Sequence, residues 1–181
     1  VTRRHPSGLS RALRALARPL AAVVLAAIRS RIALSAVLVF GADRLSKFWV
    51  VEIMDLGHLL KIEVAPPFLT FVMAWNTGIN FGILSGSPGA MRWILILVAL
   101  AISAALVWWV RRRAGKPGAA PLELGAGIVI GGALGNAWDR LQYGAVADFL
   151  NMSCCGIDNP YAFNIADVAI FAGAALIALK A

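Results

Sequence analysis

Apolar residues gather along this chain in long runs, and the longest, Met91–Val110, has only Arg92 and Ser103 as polar members. A helix rising about 1.5 Å per residue over such a run covers the ~30 Å hydrocarbon core of a bilayer. Trp93 near one end and Trp108-Trp109 near the other suit the interfacial belts where indole rings settle. Three further runs are broken by polar residues. Ile32 to about Val51 contains Asp43, Arg44 and Lys47, Pro121 to about Leu141 is glycine-rich and ends in charges, and Phe163–Ala181 is interrupted by Asn164, Asp167 and Lys180. The pattern predicts a mainly α integral membrane protein with four transmembrane helices.

Between the first two runs, about residues 52–90, the pattern changes. Lys61–Val64 alternates with period two, Pro66-Pro67 interrupts it, and Phe68–Trp75 is rich in strand formers. A small extracytoplasmic β-structure on the membrane surface is expected there, with a short surface helix or loop. Asn76-Thr77-Gly78 turns the chain into Ile79–Leu84, and Ser85–Gly89 reads as a further turn. Phe149-Leu150 reads as a short apolar segment closing the third run. At the start, Arg11, Arg14 and Arg18 recur at helical spacing against Leu9, Leu13, Leu16 and Leu20, as in a basic amphipathic helix on anionic lipid. Pro19–Ile28 could serve instead as a signal-peptide core, but it lacks a small-x-small cleavage site. The expected organisation is a cytoplasmic extension over residues 1–30 and one membrane domain over 31–181.

Composition agrees with this pattern. The chain is 60% apolar and 14% charged yet carries +8, where soluble domains average ~45–50% and ~25%. Disorder is excluded, because it needs low hydrophobicity, and an ordinary soluble enzyme does not fit. The positive charge sits in two blocks, the arginines from Arg3 to Arg31 and the run Arg111, Arg112, Arg113 and Lys116; elsewhere acids outnumber bases. Under the positive-inside rule these blocks are cytoplasmic, giving an N-in, C-in topology. No nucleic-acid partner is expected, since such a binder would mix its cations with polar residues and stacking aromatics.

Charges inside spans cost at least ~2.5–3.5 kcal/mol each on insertion scales, so each calls for a reason. Asp43 and Lys47, four apart, can form an ion pair that closes the bundle, while Arg44 points elsewhere, to snorkel or to reach another helix. Gly127, Gly131 and Gly135 form a small-residue stripe for close helix approach. Asn136 and Arg140 share the face that follows, with Asp139 beside them. Asp148 and Asp167, with no Lys or Arg between them, fall at the same extracytoplasmic surface. Two carboxylates meeting in a poorly solvated site share one proton, giving a base to activate water and an acid to polarise a peptide carbonyl. The alternative is two separately solvated loop acids. His5 and His58 lie outside the spans and no His-Glu-x-x-His occurs, which removes zinc and Ser–His proteases, so neither metal nor cofactor is expected. Cys154-Cys155 could form a strained vicinal disulfide or remain free thiols.

The blocks Asp43-Arg-Leu-Ser-Lys47, Asn76-Thr-Gly-Ile-Asn-Phe-Gly82, Gly132-Ala-Leu-Gly-Asn-Ala-Trp-Asp-Arg140, Val146-Ala-Asp-Phe149 and Phe163-Asn-Ile-Ala-Asp167 together resemble the motif set of the bacterial lipoprotein signal peptidase (signal peptidase II) family. The resemblance implies an intramembrane aspartyl protease of the bacterial cytoplasmic (inner) membrane, with four transmembrane helices and a β-cradle. It would cut diacylglyceryl-modified prolipoproteins before the lipidated cysteine, and the cyclic peptide globomycin would block it. Matched by position, Asp148 and Asp167 correspond to the catalytic pair. Asn76, Asn136, Arg140 and Asn164 correspond to residues lining the substrate site, and Asp43, Lys47 and Asp139 to residues supporting the fold. Ile79-Asn80 and Ala147 depart from the family pattern. Its partners would be prolipoproteins and the phospholipid bilayer, and a monomer is expected. A small proton-coupled transporter relaying through Asp43, Asp139 and Asp167 is the alternative; that would place its acids near the midplane of repeated halves, and no internal repeat is visible.

Overall fold

The computed structural model describes residues 30–78 and 88–180. The amphipathic extension and the loop with Ile79-Asn80 lie outside the described residues. Helix α1 (Arg31–Lys47) begins at Ser30, whose hydroxyl accepts from the amide of Ala33. It continues into a π-helical turn, Phe48–Ile53. A one-turn helix, α2 (Leu56–Leu59), leads to β1 (Lys61–Ala65) and β2 (Leu69–Asn76). Then come α3 (Pro88–Arg111), α4 (Ala119–Tyr143), β3 (Val146–Met152) and α5 (Ile165–Ala178).

Four long helices thus stand where four apolar runs predict them. One of them, Gly89–Arg111, is long and apolar enough by itself to cross a membrane, and Ile165–Ala178 is a shorter apolar helix. The other two, α1 and α4, carry Asp43, Lys47 and Asp139 in the interior, where all three are buried. Large apolar side chains face outward instead, with Val37 67%, Leu45 70% and Phe171 78% exposed. Charge inside and hydrocarbon outside is the reverse of a water-soluble bundle.

Helix α4 packs against α1, α3 and α5. Its glycines allow this approach from two sides. A Cβ on Gly131 would lie 2.5 Å from the carbonyl oxygen of Ala36 in α1, and one on Gly132 2.5 Å from that of Ala166 in α5. Gly144, at φ +82°, then ends α4 with its amide donating to Arg140 O at 3.1 Å. The left-handed conformation turns the chain directly into β3.

The sheet has the antiparallel order β1-β2-β3. Lys61 pairs with Val72, Leu69 with Met152 and Ala74 with Asp148, with a register shift between Phe71 and Ala74. The first two strands match the expected β-structure. The third corrects the reading of Phe149-Leu150 as a short apolar segment closing the third run: both belong to β3. The first four residues of β3 are all buried, so period-two alternation, the signature of a half-buried strand, is missing. A second difference is that α3 begins at Pro88, inside the expected turn Ser85–Gly89.

Candidate active site

Strand β3 presents adjacent side chains to opposite faces, as a pleated strand must. Phe149 packs with Val50 and Leu56 beneath the sheet, and meets Phe71 edge-on with centroids 5.7 Å apart. Asp148 takes the other face. After β3 the chain loops back, held by Asn151 Nδ2 donating to the carbonyls of Asn159 at 2.7 Å and Tyr161 at 2.9 Å. The amides of Phe149 and Leu150 donate to Phe163 O at 3.0 and 2.8 Å, and the Phe163 amide returns a bond to Leu150 O at 3.0 Å. This short ladder delivers residue 164 beside Asp148.

Asn164 is the N-cap of α5, in a capping box with Asp167. Its Oδ1 accepts from the Asp167 amide at 3.0 Å, and Asp167 Oδ2 accepts from the Asn164 amide at 3.1 Å. That motif satisfies two otherwise orphaned donors of the helix start and fixes the Asp167 side chain. Asn164 Nδ2 meanwhile donates to Asp148 Oδ1 at 2.6 Å and to Asn136 Oδ1 at 3.2 Å. Asn136 Nδ2 reaches Asp167 Oδ1 at 2.9 Å, and Asn76 Nδ2 reaches Asp148 Oδ2 at 3.1 Å. Asn76 is in turn set by the Gly78 amide donating to its Oδ1 at 3.0 Å. Asp148 and Asp167, from a strand and a helix, are therefore joined through Asn164, whose side chain donates to the Asp148 carboxyl and whose backbone amide donates to the Asp167 carboxyl.

Asp148 is 4% exposed. Burial, and then the neighbouring charge of Asp167, push its carboxyl up to about 6 against the hydrogen bonds from Asn76 and Asn164 and the charge of Lys47. Such a group holds its proton far more readily than a solvated aspartate. Arg140 lies within electrostatic reach of Asp139, Asp148 and Asp167. Its Nη1 donates to Asn136 O at 3.3 Å, while its Nε is buried with no acceptor among the described residues.

The remaining predicted residues form a buried ion quartet beside this site. Arg44 Nη2 lies 2.6 Å from both Asp43 Oδ2 and Asp139 Oδ1, and Lys47 Nζ lies 3.0 Å from Asp43 and 2.6 Å from Asp139. Of the two destinations expected for Arg44, the structure shows the neighbouring helix. Each acid has a second partner that the sequence does not reveal. Asp43 Oδ1 accepts from the amide of Ala166 at 3.2 Å, and Asp139 Oδ2 from the amide of Ala147 at 3.3 Å. Those amides immediately precede Asp167 and Asp148. A hydrogen bond to an interior backbone donor leaves no trace in residue type, so spacing alone could suggest only the ion pair.

His58 lies on α2, exposed, with Nδ1 2.5 Å from Asp55 Oδ1. Both cysteines are exposed free thiols. No group of three or more His, Cys, Asp or Glu side chains able to hold a metal occurs among the described residues.

The chain as a whole is similar to known proteins. The family described as signal peptidase (SPase) II matches residues 35–181. A lipoprotein signal peptidase of Shewanella baltica (strain OS155) is 44% identical over 142 residues, covering 78% of this chain and 80% of that one. One from Methylorubrum extorquens (strain PA1) is 41% identical over 131 residues, covering 72% and 73%. A bacterial membrane enzyme solved by the in meso method at 1.9 Å superposes with a TM-score of 0.66 at 31% identity, covering 82% of this chain and 90% of that one.

Proposed function

The chain belongs to the signal peptidase II family of aspartic-type membrane proteases, and from that premise we propose that it cuts diacylglyceryl-modified prolipoproteins immediately before the lipidated cysteine, with Asp148 and Asp167 as the catalytic pair. The observation that carries this reading is the bridge through Asn164, whose side chain donates to the Asp148 carboxyl and whose backbone amide donates to the Asp167 carboxyl, while burial keeps Asp148 near 6.

The two carboxyl groups share one proton. The ionised member takes a proton from water as its oxygen attacks the scissile carbonyl carbon, and the protonated member donates toward the carbonyl oxygen. Collapse of the tetrahedral intermediate passes a proton to the leaving amine, with no covalent enzyme intermediate. Asn76 and Asn136 orient the acids and the substrate backbone. Arg140, whose Nε has no acceptor among the described residues, supplies a donor for the substrate or the developing oxyanion. Asp43, Lys47 and Asp139 support the fold around the pair.

In this reading α1, α3, α4 and α5 all cross the bacterial inner membrane, N-in and C-in, in a single domain over residues 31–181. The sheet and the acids sit at the extracytoplasmic face. The exposed apolar side chains of α1 and α5 support that placement, and substrate would enter sideways from the bilayer with its acyl chains between helices. The test is cleavage of a diacylglyceryl prolipoprotein by the purified protein, and its block by globomycin. Asp148→Asn and Asp167→Asn are each expected to abolish processing while the protein still inserts; full activity in either variant sinks the pair.

A further inference from the structure

On the face of β3 opposite Asp148 lies a second cavity, of about 300 Å³, which the hydrolytic chemistry does not use. Trp75 and Ala147, cross-strand partners on β2 and β3, form one wall, and the ends of α1 and α4 form the others. Its volume is at the lower end of the ~300–1,000 Å³ typical of small-ligand sites. A polar head group fits; a whole lipid does not.

The polar lining is specific. Arg44 contributes an Nε that is buried without an acceptor among the described residues, although its Nη2 is committed to Asp43 and Asp139. A buried, unpaired guanidinium donor is costly unless a ligand or water completes it. Gln142 uses its Oε1 to accept from Trp138 Nε1 at 2.9 Å, which leaves its amide donor for a ligand. Glu52 also lines the cavity and is exposed. Asp43 and Asp139 already neutralise Arg44 and Lys47, so Glu52 gives the lining one negative charge in excess. An anion alone would be repelled there, and a cation alone would leave the Arg44 guanidinium and the Gln142 amide without an acceptor in the cavity. A zwitterion satisfies both.

The rim identifies the source. Phe48 also lines the cavity and is 55% exposed, next to Trp49 and Ile53, which are exposed as well. Trp75 and Tyr143 stack at a tilt with centroids 5.4 Å apart. Aromatic rings beside outward-facing aliphatics mark the level where head groups meet acyl chains. We propose that this cavity binds the phosphoethanolamine head group of a bilayer phospholipid, its phosphate on the Arg44 guanidinium and Gln142, its ammonium on Glu52, and its acyl chains passing over Phe48.

The experiment uses the purified full chain, stripped of lipid in detergent. Native mass spectrometry then measures retention of added phosphatidylethanolamine, of phosphatidylglycerol, and of free phosphoethanolamine. Phosphatidylethanolamine is expected to be held about tenfold more tightly than phosphatidylglycerol, the scale of one hydrogen bond to a charged group. Glu52→Gln, at an exposed position outside the ion quartet, should remove that preference, and Gln142→Ala should weaken both lipids. Equal binding of the two lipids by the unaltered protein overturns the proposal, as does an undiminished preference in Glu52→Gln. Free phosphoethanolamine binding as tightly as the lipid would overturn the bilayer as its source.

Discussion

Replacing Asp148 by Asn should stabilise this protein at neutral pH while removing its activity, and the size of the effect follows from the site. The folded carboxyl titrates at about 6 rather than at its ordinary 3.8. The native state therefore binds this proton more tightly than the unfolded chain does. The resulting stability is fully present below 3.8 and is lost as pH rises through about 6. At about 1.4 kcal/mol per pH unit, that gap means the ionised, buried carboxylate costs about 3 kcal/mol at about pH 7.5. Asparagine avoids that cost. It cannot, however, accept from both Asn164 Nδ2 and Asn76 Nδ2, which donate to different oxygens of Asp148. One donor must turn away, at about 1 kcal/mol. The net gain is about 2 kcal/mol, or roughly 4–8 °C in Tm for a chain of this length. By about pH 4.5 the native aspartate is largely protonated and the two proteins should unfold together. Thermal unfolding in detergent micelles at both pH values is the assay. A variant no more stable than the parent at neutral pH, or a difference of the same size at both, would show that burial does not hold the proton on Asp148.

Three further outcomes are expected. Lys47→Ala removes a cation from between two fully buried acids and should cost about 3–5 kcal/mol; thermal stability should fall more than the turnover of protein that remains folded, and the opposite pattern would place Lys47 in the reaction. Asn164→Ala breaks the capping box, worth about 0.5–2 kcal/mol, and also the link between the acids. Prolipoprotein cleavage should therefore drop well beyond what the lost stability explains, and a loss matching stability alone would reduce Asn164 to a cap. Gly131→Val puts a side chain where Ala36 O already sits at 2.5 Å from an added Cβ; α1 and α4 must separate, and the purified protein should lose its cooperative melting transition.

Much of the helical frame could be read in advance, because runs such as Met91–Val110 have a length that bilayer thickness explains. The polar residues of the site could be chosen too, since an acid such as Asp167 in an apolar run demands a reason. Strand β3 could not. Val146–Phe149 is buried on both faces, so it lacks the period-two alternation that would tell a strand from a helix. The role of Asp43 was half visible: its pairing with Lys47 follows from spacing, but the contact of Asp139 with Lys47, and the bonds of the two acids to the amides of Ala166 and Ala147, depend on where α4, α5 and β3 come to rest. The cavity behind β3 is wholly tertiary, assembled from residues as distant in sequence as Arg44, Trp75 and Gln142.

Those two amide bonds have a consequence for biogenesis. The residue before each aspartate is fastened by an acid from the first or the third long helix, so the geometry of the proposed catalytic pair is created by the same contacts that seat the bundle. A partly inserted chain carries the aspartates without the protease. On this account, membrane assembly doubles as the activating step: fragments divided in the loop between α3 and α4 should be inert apart and recover cleavage only when they reassociate.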